Sequence, residues 1–232
     1  MKIALIANLA GGVGRTSITH CLATAIAEYG KQALAIDCDP SATLTFLCGV
    51  ENPRFSTREL FDGEQKLENI AVKSGERFSL IPGASRLLYT EFRHLKNLRA
   101  ELNDFDFVLI DSPGGPSTLI APLIELADEV IIPVDGSIHS VRGALNLLDF
   151  IRRSPNKPQV RALENRARTW DLELKANFTA DFKLFEIAIS NDNALCEAQL
   201  STRSVLSEAP HSQISSDFRE LAYLLLEEVG AL

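Results

Sequence analysis

Between the apolar run Ile3-Ala4-Leu5-Ile6-Ala7 and a helical stretch opening near Thr16, the chain carries Gly11-Gly12-Val13-Gly14-Arg15-Thr16-Ser17. Three glycines in that space let the backbone turn several N–H groups inward as a nest for an anion, and the helix start that follows adds its partial positive charge. Phosphate suits such a loop, and Thr16 stands where its hydroxyl could serve Mg²⁺. Carboxylates come from two other places. In Ala35-Ile36-Asp37-Cys38-Asp39-Pro40, alternation at a strand end puts Asp37 and Asp39 on one side, next to the glycine loop in a fold of this order. In Asp106-Phe107-Val108-Leu109-Ile110-Asp111-Ser112-Pro113-Gly114-Gly115, a fully buried strand ends in an acid and a sharp loop, the form of a strand whose carboxylate binds Mg²⁺ through water. Each piece has a plainer reading: a glycine-rich connection without a ligand, an Asx cap ahead of Ser41, a carboxylate capping the next segment. Their succession along one chain favours a phosphate-and-metal site.

These residues need strands to carry them. Short apolar runs alternate with amphipathic segments, the pattern of an α/β fold with a mostly parallel twisted sheet covered by helices on both faces. About seven strands are expected: Lys2 to Ala7, Ala33 to Asp37, Phe78 to Ile81, Phe107 to Asp111, Glu129 to Pro133, a weak one from Val160 to Glu164, and Phe185 to Ile189. Helices are expected from Thr16 to Tyr29, after a capping box at Ser56-Thr57-Arg58-Glu59, from Ser85 to Leu102, from Val141 to Arg152 and from Asp217 to Val229. With 232 residues, 46% of them apolar, the default is a single domain spanning 1–232.

The segment Ala10 to Ser17 (AGGVGRTS) resembles the K-G-G-x-G-K-[ST]-[ST] loop of the ParA/MinD family of deviant P-loop ATPases, matching at all but the two lysines. Asp37-Cys38-Asp39-Pro40 is similar to the family's D-x-D-P-Q-G, Ser112-Pro113-Gly114-Gly115 to its T-P-P-G, and Asn165-Arg166 to its adenine-reading asparagine. The resemblance extends over nearly the whole chain. It implies a P-loop NTPase fold and ATP or ADP with Mg²⁺ as ligands, held by Gly11, Gly12, Val13, Gly14, Arg15, Thr16, Ser17 and Asn165. Thr16, Asp37 and Asp111 fall on the metal side, and Asp39 orients the attacking water while Arg15 clamps phosphate. It further implies a nucleotide-dependent homodimer, an activating or cargo protein, and the positioning of DNA or a protein cargo by a slow ATPase. Ala10 replaces the lysine that reaches across the family's dimer interface, Arg15 the phosphate-clamping lysine, and Ser41-Ala42 the usual Gln-Gly. These departures leave room for a binding module that has lost hydrolysis, with Arg86 and Arg142 as candidate replacement cations. A related P-loop ligase or reductase is a weaker alternative.

A net charge of −8 disfavours polyanions unless the basic residues cluster. The segment Arg152 to Lys175 has seven basic residues (Arg152, Arg153, Lys157, Arg161, Arg166, Arg168, Lys175) against three acids, and is the candidate for non-specific DNA contact. Cys21, Cys38, Cys48 and Cys196 are scattered, without the spacing of a zinc or iron-sulfur site, and read as reduced, mostly buried thiols. With no apolar run near the ~20 residues needed to span a bilayer and no leader-like N-terminus, no integral membrane association and a cytoplasmic location are expected.

Overall fold

The computed structural model describes residues 1–166, 170 and 172–231. Strands β1 (Lys2–Ile6), β2 (Ala33–Asp37), β3 (Val72–Lys73), β4 (Ser79–Ile81), β5 (Phe107–Asp111), β6 (Glu129–Val134), β7 (Gln159–Glu164) and β8 (Lys183–Leu184) form one sheet in the order β3-β4-β2-β5-β1-β6-β7-β8. All pairings are parallel except β3 with β4. The helices are α1 (Arg15–Glu28), α2 (Thr43–Leu47), α3 (Thr57–Phe61), α4 (Leu67–Ile70), α5 (Leu95–Glu101), α6 (Ile120–Leu126), α7 (Ile138–Arg153), α8 (Leu172–Asp181), α9 (Ala194–Leu200), α10 (Val205–Glu208) and α11 (Gln213–Glu228). Among the described residues, no helix is long and apolar enough to cross a membrane.

The central strands are apolar on both faces because both faces are covered. Ile3 and Leu5 of β1, Leu34 and Ile36 of β2, and Val108 and Ile110 of β5 join the core under α3, α5, α6 and α7. Their neighbours Ala4, Ile6, Ala33, Ala35, Phe107 and Leu109 join the opposite core under α1, α9, α10 and α11. That period of two is what a buried parallel strand requires. Connections leaving β1 run to one side of the sheet and those leaving β6 to the other, which opens a crevice at the carboxyl ends of the central strands.

Three expectations change. The sheet has eight strands, because the short antiparallel β3 pairs with β4 at the edge. The strand expected at Phe185–Ile189 is instead Lys183–Leu184, with Ile189 making an isolated bridge to Asn165. The helix expected across Ser85–Leu102 is a 3₁₀ turn over Ser85–Tyr89 followed by α5. The cause of that break is Asp62, whose Oδ1 accepts from Thr90 Oγ1 (2.9 Å), Glu91 N (2.7 Å) and Phe92 N (3.0 Å), holding Phe92 at φ 55°. Local apolar periodicity could not report a carboxylate arriving from α3. The capping box at Ser56 and Glu59 is present, and Ser137 and Ser212 cap α7 and α11.

On the α1 face, Glu76 ties three segments together. Its Oε2 meets His20 Nε2 at 2.7 Å and accepts from Thr24 Oγ1, while Oε1 accepts from Ser204 N and Oγ, both at 2.8 Å. Burial alone would raise this carboxyl, but the His20 contact and the Ser207 and Ser204 donors prevail and bring its pKa to about 2. A depressed folded pKa contributes stability above the unfolded value, ~4.3 for glutamate, and that contribution is lost as pH falls towards about 2. Equilibrium unfolding of Glu76→Gln across this window should show a shallower loss of stability with acid than the native chain, together with lower stability at pH 7.

Candidate functional site

The loop after β1 is held from below by Asn8. Its Nδ2 donates to Pro133 O (2.8 Å) and Ser140 O (3.1 Å), tying the loop to β6 and α7, and its Oδ1 accepts from Ala10 N (2.9 Å). Gly12 and Gly14 adopt φ of 73° and 91°, backbone that glycine supplies without strain. A Cβ on Gly11 or Gly12 would meet nothing within 4 Å, so open space lies over the loop. Gly14 stands at the N-cap of α1, and no side chain caps that helix. The first helical bond is Ile18 N to Gly14 O (2.9 Å), so the preceding amides have no intrahelical acceptor. A 14-residue helix with an uncapped N-terminus behind a glycine loop presents free amides and a positive dipole end, which suit an anion.

Beside it stand the acids. Asp37 and Asp111 end neighbouring strands at the same register, and both are fully buried. Asp37 is satisfied: Oδ2 accepts from Thr45 N (2.8 Å) and Thr45 Oγ1 (2.6 Å), and Oδ1 from Asp39 N (3.0 Å). Among the described residues, neither oxygen of Asp111 nor Ser112 Oγ has a hydrogen-bond partner. Burial first and then the Asp37 charge push the Asp111 carboxyl well above the usual range, against the nearby Thr16 hydroxyl and Arg15. Asp37 is raised too, by burial, although its Thr45 and Asp39 donors oppose the shift. An unsatisfied buried carboxylate of this kind suits a cation. Mg²⁺, which takes one or two carboxylates and fills its sphere with waters and phosphate oxygens, is a cation such a carboxylate could hold.

Arg15 lies inside the site, 9% exposed. Nη1 donates to Asn8 O (2.8 Å) and Ala10 O (2.5 Å), and Nε to Ser112 O (3.3 Å), joining the glycine loop to the loop after β5. Asp39 is half-buried, and its Oδ1 accepts from Ser41 N (2.8 Å), so the Asx turn before Ser41 is present and occupies one oxygen. Val13 is buried, and its carbonyl accepts from Asn165 Nδ2 at 2.8 Å. A Cβ on Gly14 would overlap that same Asn165 amide. Ser17 faces elsewhere, with Oγ accepting from Gln199 Nε2 of α9 (2.7 Å).

Ala10 is 1% exposed, sealed by Gly143 of α7, where a Cβ would come within 2.5 Å of Ala10 N and 2.7 Å of its Cβ. Above this contact Leu9, Pro116, His139 and the exposed Arg142 help line a cavity of about 410 Å³. Arg86 belongs to another cluster, paired with Glu59 at 3.1 Å. The basic segment is largely occupied as well. Arg161 is buried between Glu129 and Glu228, Lys175 pairs with Glu164 (2.6 Å) and Arg152 with Asp181 (3.3 Å). Lys157 and Arg166 donate to backbone carbonyls, which leave their charge in place, Arg153 is exposed, and Arg168 lies outside the described residues. Of the cysteines, Cys21 and Cys38 are buried, Cys48 is half-buried and Cys196 is exposed. Sequence reasoning missed Asn8, Thr45 and Gly143. Only Gly143 carried a signal, an isolated glycine in a helical pattern, which marks close packing.

A protein-family model described as an AAA domain matches residues 1–162. The chain is 31% identical to the chromosome-partitioning ATPase Soj of Thermus thermophilus over 245 aligned positions, covering 99% of this chain and 95% of the relative. It is 32% identical to a putative septum site-determining protein MinD of Guillardia theta, covering 72% of this chain and 64% of the relative. Among solved structures, the septum site-determining protein MinD of Pyrococcus horikoshii complexed with Mg-ADP superposes with a TM-score of 0.86 at 23% identity, over 99% of this chain and 97% of that one.

One departure from the usual loop leaves a measurable strain. Ala42, where the resembling motif has glycine, caps α2 in the left-handed region at φ 53°. Such a conformation costs an alanine ~1–2 kcal/mol, more than glycine loses through extra freedom in the unfolded chain. Ala42→Gly should therefore raise unfolding stability by about 1 kcal/mol, read from the urea midpoint at unchanged slope.

Proposed function

We propose, because this chain belongs to the ParA/MinD family of P-loop ATPases, that it binds Mg-ATP at the loop after β1 and acts as a slow, nucleotide-dependent switch that positions DNA or a protein cargo. The observation that carries the site is the buried, unpartnered Asp111 carboxylate beside an uncapped helix N-terminus. Relatives with partitioning and septum-siting names, and a fold neighbour complexed with Mg-ADP, support the reading.

In this reading the amides of Gly11 to Ser17 and the Arg15 guanidinium hold the phosphates, and Thr16 and Asp111 hold Mg²⁺. The ion, when bound, neutralises charge on the phosphate oxygens. Asp37, held by Thr45, fixes the position of the Asp39 backbone, and the remaining oxygen of Asp39 orients the attacking water. Asn165 braces the phosphate loop from the side where the base would lie. Catalysis then amounts to positioning plus charge stabilisation.

A second reading is favoured by a specific observation. Ala10 offers no charge and is sealed beneath Gly143, so the chain lacks the cation that the family sends across its dimer. Loss of a transition-state cation of the arginine-finger kind costs ~10³–10⁵ in rate, which would leave a nucleotide-binding module with little turnover. Arg142, exposed on the wall of the cavity beside Ala10, is the candidate to replace it in this reading.

Titration of ATP, ADP and a non-hydrolysable analogue, following oligomeric state and phosphate release, separates these readings. Dimers with phosphate release support the ATPase, binding without release supports the module, and absence of binding rejects both. At 100-fold excess over Kd, Mg-ATP should stabilise the native chain by about 2.7 kcal/mol. Asp111→Asn should lose most of that gain while unfolding at a higher temperature than the native chain when no nucleotide is present, since it removes a carboxyl whose ionisation burial and the Asp37 charge oppose.

A further inference from the structure

Two of the chain's departures from the family pattern meet in space. Arg15 stands where the phosphate-clamping lysine is usual, and Gly114 where the second proline of T-P-P-G is usual. Nε and Nη1 of Arg15 are taken by Ser112, Asn8 and Ala10 carbonyls. Nη2 lies beside Gly114, so close that a Cβ built on that glycine would stand 2.8 Å from it. A carbon that near a nitrogen is well inside van der Waals contact.

Gly114 is not required by its backbone. The left-handed residue of this loop is Gly115, at φ 76°, and Gly114 is outside that region. What Gly114 supplies is space. Nor is Arg15 free to swing away, since it is 9% exposed and leaving its place would forfeit hydrogen bonds from a cation to three buried carbonyls. A lysine, with one nitrogen and no planar fork, has no atom to place against residue 114 and tolerates a side chain there.

We propose that Gly114 is the positioning partner of Arg15: the missing side chain at 114 makes the room in which the guanidinium lies, and the two substitutions act as one unit that lets an arginine serve at the phosphate loop. Nη1 and Nε lock the loop after β1 to the loop after β5, and Nη2 lies beside residue 114. One side chain then spans both loops, so occupancy at the first is felt at the second. The proposal rests on the reading of Arg15 as a phosphate ligand, and it assigns to Gly114 a part that loop conformation alone would not.

A double-mutant cycle tests it. Mg-ATP affinity and nucleotide-free thermal unfolding are measured for the native chain, Gly114→Ala, Gly114→Pro, Arg15→Lys and the doubles Arg15→Lys/Gly114→Ala and Arg15→Lys/Gly114→Pro. Expected are a Mg-ATP affinity at least about tenfold weaker in Gly114→Ala, a coupling of 1.4 kcal/mol, a larger loss in Gly114→Pro, and recovery of affinity in both doubles. Additive effects, or native affinity in Gly114→Ala and Gly114→Pro, overturn the pairing. Coupling in thermal unfolding with none in affinity overturns it as well, since packing alone would give that result. Failure of the native chain to bind Mg-ATP overturns instead the nucleotide reading on which the pairing rests.

Discussion

Asp37 and Asp111 end adjacent parallel strands at the same register, both fully buried. Two carboxylates so placed oppose each other's ionisation, and burial opposes both. Nothing in the packing of a parallel sheet calls for this arrangement, and apolar side chains at these positions would be more favourable for folding alone. The surrounding structure is organised around it. Thr45 and the Asp39 backbone satisfy Asp37 and thereby fix the start of α2, whereas Asp111, near Thr16 at the start of α1, has no hydrogen-bond partner within ordinary distance among the described residues. An unsatisfied carboxylate, an unsatisfied row of amides and open space over glycines describe a place where a cation and an anion belong together.

Long-range bonds keep that place open. Asn8 ties the phosphate loop to β6 and α7, Asn165 holds the Val13 carbonyl, and Arg15 fastens the loop to the segment after β5. Each is a polar side chain serving backbone groups that a tight, glycine-rich turn leaves unpaired. The loop is thus preorganised by the protein before any ligand contributes, which is the condition for electrostatic stabilisation of phosphate chemistry.

Three positions of these loops, Ala10, Arg15 and Ala42, are tightly constrained by what surrounds them. A Cβ on Gly143 would overlap Ala10, one on Gly114 would crowd Arg15 Nη2, and Ala42 is held in the left-handed region at φ 53°. Two of the three have a glycine facing them from another element, and both glycines are required by space rather than by a turn.

The strands, the first helix and the loop between them were legible in the sequence because their causes are local: apolar alternation, glycine spacing, and acids at strand ends. Asp37, Asp39 and Asp111 could be placed at one end of the sheet for the same reason. Which atoms those residues engage could not be read, because the partners arrive from far along the chain. Arg15 meets Ser112 across 97 residues, Asn165 meets Val13 across 152, and Ser17 is drawn to Gln199 across 182. The helix expected from Ser85 to Leu102 broke for the same reason, at a carboxylate reaching over from α3. Sequence alone determined that a glycine loop between β1 and α1 and three acids lie at one end of the sheet. The tertiary structure decided that Asp37 is satisfied and Asp111 is not, that Arg15 turns inward and that Ala10 is closed off, because hydrogen bonding and steric exclusion between distant segments exist only once the sheet has brought them together.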